Sequence, residues 1–473
     1  MSLTSIGHRV LIGILFVGLL TGTTLAQPAP PATTPAGPAP WRAQEAVRAP
    51  RWLRFGVEHR VRYENLDDDF RSAATGDVSA FSLRTLVSGE IGPETLAVGA
   101  EMIDSRAYAS DRAILNTTIV DATDLLQGYV AYRPKNLLQE GDALNVKLGR
   151  ITIDLGSRRL VARNDFRNTI NAFTGGDVQW RSAGGHVARV FLVAPVGRLP
   201  TDQESLEDNE VKADKENFDA ILWSLTYTSP TLFAGAQIDA YVIGFDEDDD
   251  EEFPSTNRRL FTPGVRVMRA SQPGHFGGQV EAMGQVGESR ATTAADDDND
   301  LDHRAFSVHV SGGYRTQTAW TPRAVLQFDY ASGDDDPDDD SNERFDTLFG
   351  ARRFEFGPTG FYGAFARSNI ISPGLRIEVT PHSTVDAFAA YRPFWLASKQ
   401  DAWTTSALRD PEGDSGRFLG HQIEGRIRWQ IFPRNVAVDV GAAHLIRGGF
   451  AEDAPKAKDD AATFLYGALT LTI

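Results

Sequence analysis

From Arg426 the sequence runs RIRWQIFPRNVAVDVGAAHLI, in which Ile427, Trp429 and Ile431 alternate with Arg426, Arg428 and Gln430. Beyond the FPRN turn, Val436, Val438 and Val440 alternate with Ala437, Asp439 and Gly441. Successive strand side chains point to opposite faces, so this hairpin has one oily side and one side that carries charge. The pattern recurs in segments of about ten residues, among them FGVEHRVRY, FSLRTLVSGE, DLLQGYVAY, ILWSLTYT, AFSVHVSGGY, AVLQFDYA, VDAFAAYRPFW and FLYGALTLTI. With weaker cases the count reaches about eighteen strands. No helical pattern alternates with them beyond residue 50, which argues against parallel βαβ architecture.

The connections between these segments sort by parity. Links near 64–78, 105–121, 152–175, 196–218, 245–258, 289–301, 333–368, 396–416 and 448–462 are long, and those between them, such as GPET, AGG, SPTL, TQTA, TPHS and FPRN, are short, apart from a moderate one at 134–142. An up-and-down meander places all odd connections at one end and all even ones at the other, the arrangement of outer-membrane barrels with short periplasmic turns and long external loops. Hydrocarbon admits no unpaired backbone, so such a sheet must close, apolar outward and polar inward. The expected fold is all-β: a transmembrane antiparallel up-and-down β-barrel of about 18 strands over residues 51–473. At that size the interior is too wide for wall side chains to fill and is expected to be an aqueous channel. Trp52, Tyr63, Trp180, Trp223, Tyr227, Tyr391 and Trp429 are expected at the membrane interfaces.

Arg9 precedes VLIGILFVGLL, and TGTTLA follows with small residues before Gln27. This layout reads as a secretory signal peptide over 1–26, with an apolar run too short to span a bilayer as a helix. Residues 27–50, rich in Pro and Ala, read as a flexible linker. Cysteine is absent, which excludes disulfides and thiolate metal sites and suits export. The expected location is the bacterial outer membrane, in contact with its lipid and lipopolysaccharide.

Net charge is −17, yet DEDDDEE (246–252), DDDNDLD (296–302) and DDDPDDD (334–340) supply most of it. All three lie in long links and so are expected outside the cell. Clustered carboxylates are hard oxygen ligands, so Ca²⁺ at these loops is an expectation, although none has the spacing of a defined calcium loop. No other cofactor and no nucleic-acid partner is expected.

GRITIDLGSRRLVARNDFRNTINAFTGGDVQW (149–180) resembles the signature of the alginate export porin family. DYASGDDDPDDDSNERFDTLFG (329–350), AAYRPFWLASKQDAW (389–403) and VDVGAAHLIRGGF (438–450) are similar to its later strands and loops. The resemblance implies a monomeric eighteen-stranded barrel that passes an anionic polysaccharide, an alginate-like polyuronate, outward through an arginine-lined channel fed by periplasmic export components. By motif match the arginine role falls first on Arg150, Arg426 and Arg428. Inward parity adds Arg60, Arg62, Arg84, Arg376 and Arg392, and the signature adds the cluster Arg158, Arg159, Arg163 and Arg167. Guanidinium suits a polyuronate because it stays charged, and many weak, solvated sites in series permit movement where one tight site would plug the pore. The same parity points an equal number of carboxylates inward, so strand pattern alone leaves cross-strand ion pairs as the competing role. The alternative is a substrate-specific porin for small anionic or sugar solutes. No GxSxG, HExxH, P-loop or dinucleotide fingerprint sits at a suitable junction, so no enzymatic activity is expected.

Overall fold

The computed structural model describes residues 41–73, 76–249, 252–294, 296–458 and 461–473. The expected signal peptide and most of the expected linker therefore lie outside the described residues. Residues 41–50 hold a short helix, Ala43–Ala46, and Trp41 exchanges hydrogen bonds with the Asn435 side chain, its N–H donating at 2.8 Å and its carbonyl accepting at 2.7 Å.

Eighteen antiparallel strands close into one barrel. They are β1 Leu53–Asp67, β2 Val78–Ile91, β3 Leu96–Ala109, β4 Asp121–Tyr132, β5 Ala143–Ile151 and β6 Phe173–Arg181. Then come β7 Val187–Gly197, β8 Ala220–Thr228, β9 Ala236–Glu247, β10 Arg259–Arg269, β11 Phe276–Arg290 and β12 Asp300–Arg315. The last six are β13 Arg323–Ala331, β14 Ile370–His382, β15 Val385–Trp395, β16 Phe418–Phe432, β17 Val436–Arg447 and β18 Ala462–Thr472. Each pairs with its sequence neighbours, and closure comes from β1 against β18 in the register Glu58↔Thr472 to Asp67↔Thr463. The parity of the connections holds by rim, with the odd links at one end and the even links, down to the two residues 383–384, at the other; the even link 133–142 is as long as the odd link 68–77 and longer than the odd link 291–299. β1 and β3 run about four residues past their expected ends, to Asp67 and Ala109.

The wall is apolar on its outer face. Ile427 is 57% and Trp429 49% exposed, as their alternation with Arg426 and Arg428 requires. Trp52, Tyr63, Tyr227 and Tyr391 are likewise exposed, while Trp180 and Trp223 are only half so. The largest fully buried side chains include Arg62, Arg367 and Arg392, an inversion of the soluble pattern that a wet lumen and an oily exterior explain.

The lumen is not an open pipe. Loops 152–172 and 332–369 fold into it and meet there: Phe349 N–H donates to the Leu160 carbonyl at 2.9 Å and Ala351 N–H to the Arg158 carbonyl at 2.8 Å. Wall side chains cannot reach across an eighteen-strand interior, so the inserted loop brings its own apolar filling. Phe345, Phe356, Phe361, Tyr362 and Phe365 are all buried, with Phe365 stacked on Phe394 of β15 and Tyr362 on Phe464 of β18. The expected aqueous channel is thus divided into a set of chambers around two inserted loops.

One glycine fixes how the signature stretch leaves the wall. Gly149 has φ +127°, and a Cβ there would come 2.3 Å from the Gly128 carbonyl oxygen. This backbone lets Arg150 swing onto Asp124 and Glu216 while Leu148 stays exposed. Gly149→Val is expected to cost roughly 1–3 kcal/mol in backbone strain alone and to add a clash with β4. The measurement is the loss of the compact, heat-modifiable band on unboiled gels; native-like migration would refute the assignment.

Candidate functional site in the lumen

Three wall arginines build the floor of the site. Arg60 and Arg84 each donate to the Asp165 carbonyl at 2.9 Å, Arg60 also donates to the Arg167 carbonyl at 2.7 Å, and Arg62 donates to the Phe166 carbonyl between them. Three consecutive carbonyls of loop 152–172 are thereby clamped to β1 and β2. Asn168 completes the anchorage, its side-chain amide donating to the carbonyls of Leu83, Arg106 and Ile119. The DFRNT stretch is therefore the device that holds the loop across the lumen.

Above this clamp, on the short-turn side, lies a cavity of about 460 Å³ lined by eight arginines (60, 62, 84, 158, 353, 426, 428 and 434) and four carboxylates (Glu58, Asp154, Asp165 and Asp439). Arg62, Arg353 and Arg426 pair with Glu64, Glu424 and Asp386, none of which lines the cavity. The guanidiniums face the space and their counter-charges stand behind them. Arg428 bonds Asp439 at 2.7 Å and remains 43% exposed, and Arg158 lies over the Phe354 ring at 4.0 Å. Among the described residues Arg60, Arg158 and Arg434 make no ion pair.

Asn164 lines both this cavity and a neck chamber of about 280 Å³ bounded by Arg167, Arg198, Arg352 and Arg367. Of these, Arg367 bonds Glu355 at 3.0 Å; Arg167, Arg198 and Arg352 form no ion pair among the described residues. Burial, then the nearby Arg71 and Arg367 guanidiniums, push Arg352 down to about 10. Burial followed by Arg198 and Arg352 lowers Arg167 well below the usual arginine range. Crowded cations destabilise one another's charged form, and here the crowding is offset by Glu355 on Arg367 and by Asp121 and Asp214 acting on Arg198. Arg352 and Thr347 also line a third chamber of about 700 Å³ on the long-loop side, so the chambers share walls from one rim to the other.

The sequence-derived arginines divide accordingly. Arg60, Arg62, Arg84, Arg158, Arg426 and Arg428 line the first cavity, and Arg167 lines the neck. Arg150, Arg159, Arg163, Arg376 and Arg392 instead brace the wall and loops. Arg150 bonds Asp124 and Glu216, Arg159 bonds Glu281 and Glu355, and Arg163 bonds Glu101. Arg376 bonds Glu378, and Arg392 bonds Asp329 at 2.7 Å with both side chains 2% exposed. Arg198, Arg352, Arg353, Arg367 and Arg434 had no signal from strand alternation, because all five sit in loops and turns. Among the described residues no group of three or more His, Asp or Glu is placed to hold a metal ion; Asp250 and Glu251 of the first acidic run lie outside them.

A clamped loop, an arginine-lined lumen and a closed eighteen-strand wall agree with what comparison finds: residues 51–464 match the alginate export family. The chain belongs to that family. The fold is also that of solved porin structures. Pseudomonas aeruginosa OccD3 (OpdP) superposes with a TM-score of 0.55 at 13% identity, over 89% of this chain and 91% of that one. Acinetobacter baumannii OccAB1 gives 0.56 at 12% over 89% and 96%. P. aeruginosa OpdK, solved with vanillate, gives 0.54 at 12% over 89% and 98%. No curated protein matches the chain. The alginate export membership and the barrel make this protein a porin.

Proposed function

We propose that this alginate export family member passes an anionic polysaccharide of the polyuronate type outward across the bacterial outer membrane, as a passive conduit without catalysis. The observation that carries the reading is the first cavity, where eight arginines face four carboxylates and the counter-charges of several arginines are held outside the space. Contacts with Arg158, Arg426, Arg428 and Arg434, which are exposed or half-buried, are solvated and worth about 0–1 kcal/mol each, so the polymer is attracted without being trapped. The unpaired neck arginines continue the same attraction, and the acidic runs at the long-loop rim disfavour return of a polyanion. On this reading the outer wall meets lipid and lipopolysaccharide, the short-turn rim meets periplasmic export components, and the barrel works as a monomer. Calcium at the acidic loops remains part of the proposal as a bridge to anionic lipid.

A second reading, a porin for small carboxylates, draws on the neck's 280 Å³, a volume suited to one small ring acid. The two separate in planar bilayers. A uronic-acid polymer added on the short-turn side is expected to block the current in proportion to its concentration, and a neutral dextran of equal length is not. Anion selectivity with indifference to the polymer would leave only the small-solute porin.

A further inference from the structure

The third chamber differs in chemistry from the other two. It is assembled at the long-loop rim from Arg71, residues 116–118, Thr256, Arg258, residues of 342–368, and 404–405, together with the ends of β11 and β12. Four of its five arginines are engaged: Arg71 with Asp69, Arg258 with Glu247 and Asp346, Arg290 with Asp249, and Arg344 with Asp401. Arg352 alone has no carboxylate among the described residues. Five lining hydroxyls, Thr117, Thr256, Thr347, Ser368 and Thr404, are half-buried, and no partner for any of them occurs among the described residues. His303 lines the same chamber at 3% exposure with neither ring nitrogen hydrogen-bonded.

A surface of engaged charges, one free cation, five idle hydroxyls and an orphaned imidazole matches a particular ligand chemistry. A hydroxyl side chain both donates and accepts, as a sugar hydroxyl does. A small carboxylate would be satisfied by Arg352 and leave the hydroxyls and the buried imidazole idle. A uronic-acid residue carries one carboxylate and several hydroxyls on one ring, which is the complement of what the chamber offers. Its volume lies within the range of ordinary ligand pockets, about 300–1,000 Å³.

We propose that the long-loop chamber is a saccharide subsite, reading the hydroxyls of a uronic-acid residue through Thr117, Thr256, Thr404 and His303 while Arg352 holds its carboxylate. The proposal rests on the polyanion reading above and narrows it: the solute is selected as a sugar, not only as an anion. Because a buried polar group is penalised when its partner is missing, such a site discriminates against a ligand that lacks the hydroxyls.

The test uses the full chain in detergent micelles, with calorimetric binding of two probes, a (1→4)-linked uronic-acid tetramer and tricarballylate, a carboxylate without hydroxyls. The variant Thr117→Val/Thr256→Val/Thr404→Val keeps shape and removes hydroxyls. It is expected to bind the tetramer roughly tenfold more weakly or worse while its affinity for tricarballylate stays within about twofold. Arg428→Ala, in the first cavity, is expected to weaken both. If the triple variant binds the tetramer as the native protein does, or loses both probes alike, the subsite is overturned and the anion reading stands. If the native protein binds neither probe, the anion reading falls and takes the subsite with it. Native migration of the unboiled variant is the folding control, and should the triple variant fail it, each single Thr→Val variant is read against the same two probes.

Discussion

The double variant Arg426→Glu/Arg428→Glu is expected to turn an anion-selective conductance into one without anion preference or with preference for cations, seen as a change of sign in the zero-current potential under a salt gradient. Both side chains line the first cavity, and exchanging them brings eight arginines against four carboxylates to parity. A unit charge about 4 Å from a passing ion is worth roughly 4 kcal/mol at an effective dielectric near 20, so two reversals move the local potential by several kcal/mol before screening. Salt shortens the reach to about 10 Å at about 0.1 M, and the effect is expected to shrink as salt rises. Asp386 and Asp439, which now accept from these guanidiniums at 2.8 and 2.7 Å, would each face a new carboxylate. Arg426→Gln/Arg428→Gln is therefore the milder control and is expected to shift the potential in the same direction by a smaller amount. Undiminished anion preference in both variants would remove the first cavity from the selectivity argument.

The second large effect is structural. Arg159 is 2% exposed and ties its own loop to the wall and to loop 332–369: it bonds Glu281 on β11, Glu355 at 2.7 Å and, through its backbone carbonyl, Arg367 at 3.0 Å. Removing it leaves Glu281, 2% exposed, without a counter-charge among the described residues, and leaves Glu355, 4% exposed, with Arg367 alone. Breaking a buried pair in this way costs roughly 3–5 kcal/mol. The barrel hydrogen bonds are untouched, so the expected result of Arg159→Leu is a closed barrel whose inserted loops have come loose: higher single-channel conductance, and proteolytic cleavage within 152–172 or 332–369 that the native protein resists. Arg159→Leu/Glu281→Leu removes the stranded wall charge, leaves Glu355 paired with Arg367, and is expected to recover part of the lost resistance. Native conductance and native resistance in the single variant would show that the loops are held by apolar packing alone.

Arg159 also marks the limit of what could be read from the chain. In sequence it is one of four arginines within ten residues, beside Arg158, Arg163 and Arg167. In the fold, Arg158 opens onto the cavity, Arg159 is tied to Glu281 of the wall, Arg163 is tied to Glu101 and Arg167 lies at the neck. Nothing local separates them, because the loop that carries them has no period and its side chains are aimed by clamps from β1 and β2. The strand arginines were more legible. Arg426 and Arg428 face the lumen because Ile427 and Trp429 must face oil. Arg392 obeys the same alternation, yet it is closed off by Asp329, Ser372 and the Glu355 carbonyl, since parity gives the face and not the neighbour across it.

Strand number, antiparallel order, barrel closure and the assignment of long and short links to opposite rims were all determined by the sequence, because they follow from a two-residue period and from a backbone that must pair where no water can reach it. Which arginines stay open to a solute was decided only in three dimensions. The inward folding of loops 152–172 and 332–369, the apolar filling that Phe345, Phe356 and Phe365 provide, and the gathering of Arg167, Arg198, Arg352 and Arg367 at one neck depend on residues far apart in the chain, such as Arg159 with Arg367 and Arg71 with Tyr362. Contacts of that range are fixed by packing and charge balance inside the closed wall, and no local pattern encodes them.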